Sequence, residues 1–136
     1  MTSTTAESMK IQMTYVDTSA AVKRISDEQE SDGLRSYLDK ELTLISSDLL
    51  ETELRRIGIR HGIDQVLITT ILDGVTVVPL TRGPVPRGLY PQVGLRSLDA
   101  LHLASALAVY DAAILTYDLR LSEASRAHGL QVVAPK

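Results

Sequence analysis

The chain predicts an α/β fold, a three-layer α/β/α sandwich around a central, mainly parallel sheet. Short apolar runs rich in β-branched residues alternate with stretches of helical periodicity. Strands separated by helices pair in parallel through crossovers, and the helices then cover both faces. At 136 residues and 44% hydrophobic, the chain is sized for one domain with a substantial core.

The elements follow in order. "MTYV" (residues 13–16) is the first strand. A helix starts near Ser19, breaks near Glu30 and ends by Lys40. "LTLIS" (42–46) is an apolar run between polar residues, hence the second strand. "DLLETELRRIGIRHG" is helical and stops at Gly62. "IDQVLITTILDG" is a second helix ending at Gly74, with Asp64 near its start. "VTVVPL" (75–80) is the third strand. "SLDALHLASALAVY" is a strong helix with Ser97 as its cap, "AAILTY" (112–117) the fourth strand, "LRLSEASRAHG" a helix closed by Gly129, and "LQVVA" the last strand. Residues 81–96, "TRGPVPRGLYPQVGLR", hold three Pro and three Gly, which disfavours a long helix there and reads as an ordered loop.

Residues 1–12 are polar and lack the apolar centre of a signal peptide, so they read as a flexible lead to a single domain over 13–136. No apolar run approaches the roughly 20 residues of a membrane span. A cytoplasmic protein without membrane attachment is the expectation. Cysteine is absent, which excludes disulfides and thiolate metal sites; Phe and Trp are absent too, so aliphatic residues fill the core. The net charge of −3 argues against a global attraction to nucleic acid, although "ELRRIGIRHG" (53–62) supplies a local basic patch.

In parallel sheets ligands collect beyond the carboxyl ends of the strands. Asp17 ends the first strand, Asp118 follows the fourth, and Asp99 lies in the first turn of the helix between the third and fourth. Asp17 and Asp118 also suit N-caps, worth about 1 kcal/mol each, and Asp99 suits a helix dipole. Glu53 falls on the apolar side of its helix with Leu50, Leu54 and Ile57, whereas Glu51 pairs with Arg55 or closes a capping box with Asp48. An inward acid needs a cation or a hydrogen-bond donor. If the acids converge, two carboxylates about 5 Å apart repel by about 3 kcal/mol at an effective dielectric of 20. A hard divalent ion, Mg²⁺ or Mn²⁺, would offset that repulsion at an all-oxygen site. His102, three residues after Asp99, sits in a helix apolar almost all round and reads as a hydrogen-bonded structural histidine. His61 and His128 read as helix-end residues near Gly62 and Gly129.

Four segments, "YVDTSAAVK", "SSDLLETELRR", "GLRSLDALHLASAL" and "ILTYDLRLSEAS", resemble the signatures of PIN-domain ribonucleases, and among them the VapC-type toxins of bacterial toxin–antitoxin pairs. The likeness runs from about Tyr15 to Pro135. It implies a PIN-like fold and a metal-dependent endoribonuclease. On the matching positions, Asp17, Glu53, Asp99 and Asp118 are the catalytic acids. Asp17, Asp99 and Asp118 would hold Mg²⁺ or Mn²⁺, directly or through water, while Glu53 would ligate a second ion or orient the attacking water. Thr18 and Ser19 match the hydroxyl residues after the first acid, with Ser19 set to touch a metal-bound water, and Thr116 matches a small polar position. The helix that similar proteins carry before "LRSLD" is interrupted here by Gly83, Pro84, Pro86 and Gly88.

The implied partners are an RNA substrate, a cognate VapB-type antitoxin and a second copy of the chain. Arg24, Arg96 and Arg120, with Arg56 and Arg60, are candidates to hold phosphates around an acidic site. Tyr15, Tyr90 and Tyr117 are candidates for base stacking, and a groove around Ile25, Leu34, Leu49 and Ile57 could take an antitoxin helix. Two competing classes fit less well. A haloacid-dehalogenase-type phosphatase wants a second acid two residues after Asp17, where Ser19 stands; a receiver domain wants paired acids and a late lysine. A non-catalytic PIN-like binding module would not need all four acids.

Overall fold

The computed structural model describes residues 12–25, 29–40, 42–79, 97–109 and 112–136. Strand β1 (Gln12–Val16) runs into helix α1 (Thr18–Val22), and α2 (Ser31–Leu38) follows after a break. Strand β2 (Leu42–Ser47) leads into α3 (Asp48–His61) and α4 (Gln65–Asp73), then β3 (Thr76–Val78). Helix α5 (Ser97–Leu107), strand β4 (Ala113–Leu115), helix α6 (Leu119–Ala127) and strand β5 (Val132–Val133) complete the order.

Much of the expected punctuation is in place, although Ser97, expected as a cap, is itself the first described residue of α5. Asp17, Asp64 and Asp118 cap α1, α4 and α6 by accepting backbone N–H groups. Gly62 ends α3 at φ 67° and Gly129 follows α6 at φ 86°, a left-handed backbone that glycine adopts without Cβ strain. The break between α1 and α2 is bridged twice: Ser31 Oγ donates to the Lys23 carbonyl at 3.0 Å, and Lys23 Nζ pairs with Glu30 at 2.8 Å.

Some boundaries differ. β1 begins at Gln12, and α1 at Thr18. β3 and β5 are shorter than the apolar runs that announce them, because each is an edge strand with one neighbour. Helix α5 stops at Leu107, where Ala108 and Val109 donate to the carbonyls of Ala104 and Ala106 and tighten the last turn. The 81–96 loop and the 1–11 part of the lead lie outside the described residues.

All four strand pairings are parallel, in the order β3-β2-β1-β4-β5. The chain steps from β1 outward through β2 to β3, then returns to lay β4 on the other side of β1. The order therefore reverses between β1 and β4, where a parallel sheet opens a crevice at its carboxyl edge.

Two apolar clusters cover the two faces. One gathers Val16 and Leu115 with Ala20, Leu34, Leu50, Leu54, Ile68 and Ile71 from α1 to α4. The other gathers Tyr15, Ile45 and Ile114 with Leu103, Ala106 and Leu121 from α5 and α6. Neighbouring residues in β1, Tyr15 and Val16, thus feed opposite layers, as strand alternation requires. This is the three-layer sandwich the sequence predicts.

Helices α3 and α4 approach closely at Gly58. A Cβ there would overlap Ile68 Cδ1 and come within 2.9 Å of Gln65 Nε2, and Ile68 is fully buried. Overpacking costs roughly 1–3 kcal/mol, against a helix-propensity gain of about 1 kcal/mol for alanine over glycine. Gly58→Ala is therefore expected to lower the urea midpoint of unfolding; an unchanged or raised midpoint would show that Ile68 yields freely.

Candidate active site

The site is built where β1 and β4 end side by side. The Asp17 amide donates to the Leu115 carbonyl at 3.0 Å, extending the β1–β4 pairing past the last strand residue. The Asp17 side chain is 4% exposed as a residue, a burial that a carboxylate tolerates only with donors around it. Its Oδ2 accepts from Ser19 Oγ at 2.7 Å, Thr116 Oγ1 at 2.8 Å and the Ser19 amide at 3.3 Å. Ser19 Oγ in turn accepts from the Tyr117 amide at 2.9 Å, and Thr116 Oγ1 accepts from the Asp118 amide at 3.1 Å. Two hydroxyls thus latch the loop after β4 to the first acid. Asp118 Oδ1 accepts from the Leu121 amide at 3.0 Å and starts α6.

Glu53 enters from the second turn of α3, on the inward side its helical position predicts, with its side chain 22% exposed. Its Oε1 accepts from Thr18 Oγ1 at 2.8 Å and lies 2.7 Å from His102 Nε2. The same ring nitrogen stands 3.7 Å from Asp17 Oδ1. Behind the imidazole, Nδ1 lies 2.8 Å from the Tyr15 hydroxyl, which donates to Ser47 Oγ at 3.0 Å. Glu51 faces outward and pairs with Arg55 at 2.8 Å.

Asp17, Glu53 and Asp118 are therefore joined through Thr116, Thr18 and His102. Asp99 is half-buried in the first turn of α5, three residues before His102 and so on the same side of that helix. His102 is hydrogen-bonded and buried as the sequence suggests, but sequence reasoning missed its partner; the helical spacing gives a face and not the acid 49 positions away. The sequence offers Tyr15 as a stacking candidate and not as the partner of His102.

Two expectations are corrected. Tyr15 is fully buried and cannot stack on a base; in a strand covered on both faces, an aromatic side chain has no outward choice. Leu49 is a core residue at 8% exposure and lines no groove among the described residues, whereas Leu34, also buried, lines a small apolar cavity with Leu38, Leu44 and Ile71. Tyr117 is half-buried, with Lys23 Nζ 4.8 Å above its ring and its hydroxyl donating to the Pro135 carbonyl at 2.6 Å. Arg24, Arg56, Arg60 and Arg120 are exposed. Arg96 and Tyr90 lie outside the described residues.

The donor chemistry fits a hard cation. The site offers carboxylate and hydroxyl oxygens, and the chain has no thiolate to offer. Asp17 is asymmetric: Oδ2 is saturated by three donors, while Oδ1 takes no hydrogen bond among the described residues. Among the described residues, no three His, Asp or Glu side chains form a ready-made ligand cage, so the fit rests on that oxygen of Asp17.

The chain is similar to several known proteins, and it belongs to the family of the first match. Residues 14–127 match the family model described as the PIN domain. Ribonuclease VapC35 of Mycobacterium tuberculosis is 42% identical over 134 residues, covering 90% of this chain and 97% of that protein. Ribonuclease VapC47 of the same species is 35% identical over 134 residues with the same coverage. A similar fold, at 16% identity and a TM-score of 0.71, occurs in the VapBC2 structure from Rickettsia felis bound to a DNA fragment from its promoter, covering 92% of this chain and all of that one. The sarcin–ricin loop cleaving toxin VapC20 of M. tuberculosis is also similar in fold, at 16% identity and a TM-score of 0.67, covering 90% and 99% of the two chains.

Two outcomes test the latch and the buried phenol. Thr116→Val removes a buried donor to Asp17 and the acceptor of the Asp118 amide; a loss of about 1–3 kcal/mol of unfolding free energy is expected, and none would mean that water replaces the hydroxyl. Burial raises the Tyr15 phenol above its ordinary value of 10.0, opposed by serine hydrogen bonds and aided by the Asp17 charge. The stabilisation from its retained proton is present below pH 10 and is lost as pH rises through the higher folded-state value. Thermal midpoints should fall over that alkaline range, and Tyr15→Phe should flatten the fall.

Proposed function

Because the chain belongs to the PIN domain family and, within it, to the VapC ribonucleases, we propose that it is a Mg²⁺-dependent endoribonuclease, the toxin of a toxin–antitoxin pair. The observation that carries the reading is the buried Asp17 at the sheet's crevice, tied to Asp118 through Thr116 and set with Glu53 around His102 Nε2. Asp17, Asp99 and Asp118 are the residues to hold Mg²⁺ or Mn²⁺. Bound there, the ion supplies Lewis-acid polarisation of the phosphate and a more acidic water.

The chain's own residues do the rest. Ser19 and Thr116 hold Asp17 by Oδ2, which leaves Oδ1 without a hydrogen bond among the described residues. Glu53, fixed by Thr18 and His102, orients the attacking water and takes its proton. Water adds to phosphorus and the P–O3′ bond breaks. The 3′ oxygen takes a proton from solvent water as it leaves and becomes a hydroxyl, and the other product keeps a 5′-phosphate. An acidic site repels RNA, so the exposed Arg24 and Arg120 are assigned to phosphates, and Arg96 with them on its sequence position. Single-stranded loops suit the site best, since their bases and backbone are reachable.

A VapB-type antitoxin is the proposed inhibitor, in keeping with the VapBC2 complex of similar fold, and a homodimer is the proposed assembly. The cytoplasm is the proposed location; among the described residues, no helix is long and apolar enough to cross a membrane.

Purified protein should cut single-stranded RNA in Mg²⁺, stop in EDTA and resume when Mg²⁺ is returned. Asp17→Asn and Asp99→Asn should fold and lose cleavage by about 100-fold or more. Parent-like cleavage by either variant would remove these acids from the site. Phosphatase activity without RNA cleavage would favour the phosphatase class, and neither activity would favour a binding module.

A further inference from the structure

Glu53 is a flexible side chain on a helix, and a carboxylate that guides water must be held in one orientation. Oε1 lies within reach of two donors, the Thr18 hydroxyl at 2.8 Å and His102 Nε2 at 2.7 Å. An ionised carboxylate only accepts, so Nε2 carries a proton towards it. The other ring nitrogen is held at 2.8 Å by the Tyr15 hydroxyl, whose ring meets the imidazole edge-on at 5.7 Å between centroids. The His102 side chain is 1% exposed and Tyr15 is fully buried, so neither ring has room to turn.

The distances are also selective. His102 Nε2 is 2.7 Å from Glu53 but 3.7 Å from Asp17 Oδ1. It fixes the glutamate and leaves the first acid's second oxygen without a short donor. We infer that His102, backed by the Tyr15 hydroxyl, is a positioning residue that sets the Glu53 carboxylate for water attack. The inference rests on the nuclease reading, and it adds a line Ser47–Tyr15–His102–Glu53 that reaches the reacting region from beneath the sheet edge.

The test uses the full chain, Mg²⁺ and a single-stranded RNA oligonucleotide selected from a randomised pool as one the parent cleaves. His102→Leu removes the donor while filling the space. It is expected to lower kcat at least tenfold with KM within twofold. His102→Gln, which keeps an Nε2 donor, should recover much of that loss, and Tyr15→Phe should fall between. In a Glu53→Gln background, His102→Leu should change kcat by less than twofold, since its effect passes through Glu53. A full tenfold loss in that background, or a glutamine variant no better than leucine at equal thermal midpoints, overturns the inference. Should the leucine variant not fold, His102→Gln and Tyr15→Phe carry the same comparison.

A second readout does not depend on cleavage. With ¹³C-carboxyl glutamate in metal-free protein, the Glu53 resonance is identified by its loss in Glu53→Gln. It should shift in Tyr15→Phe and in His102→Leu, and lie nearer the parent position in His102→Gln. An unmoved resonance overturns the inference whatever the RNA assay gives. A parent chain that cuts no RNA overturns the nuclease reading and with it the role in water attack, while a resonance that still moves keeps His102 as the residue that holds Glu53.

Discussion

A carboxylate that is 4% exposed at the end of the central strand is the constraint around which this molecule is arranged. Burying an anion is tolerable only where donors replace the lost water. Among the described residues, the short donors to this carboxylate are hydroxyls and a backbone amide. Ser19 lies two residues on, where the turn into α1 returns it to Asp17; Thr116 arrives from β4, whose place beside β1 is set by the sheet register. Hydroxyls satisfy one oxygen of the carboxylate without neutralising its charge. The local negative potential survives, and a hard cation is the natural counterweight.

The sheet divides the interior into two apolar layers, and few polar side chains can link them. His102 does so at the carboxyl edge. Its helix packs on the α5–α6 side with Tyr15, Leu103 and Ile114, while its Nε2 meets Glu53 and Thr18, which belong to the helices of the opposite side. The acids of the site therefore have their relative positions fixed by contacts from both layers. A helix shift on either face would be felt as a change in the distance between Asp17 and Glu53.

Most of this fold could be read in the sequence because its signals are local. Caps at Asp17, Asp64 and Asp118 and the left-handed Gly62 and Gly129 depend only on neighbouring residues. The inward direction of Glu53 followed from helical periodicity alone. What stayed hidden depends on pairings across the chain. The alternation of β1 cannot say which layer Tyr15 enters when both faces are buried, and the apolar setting of His102 suggests a structural role without naming Glu53. The same limit explains Leu49, whose apolar character suits a groove and a core equally well.

The Asp17–Thr116 hydrogen bond spans 99 positions of sequence, and that separation has a consequence for how the protein comes into being. The central strand and its acid leave the ribosome long before β4 and the residues that saturate Asp17. At about 5–20 residues per second, the gap lasts on the order of five to twenty seconds. Until then the Thr116 donor is missing, and the crevice between β1 and β4 does not exist. The site therefore closes only when synthesis of the domain is nearly done.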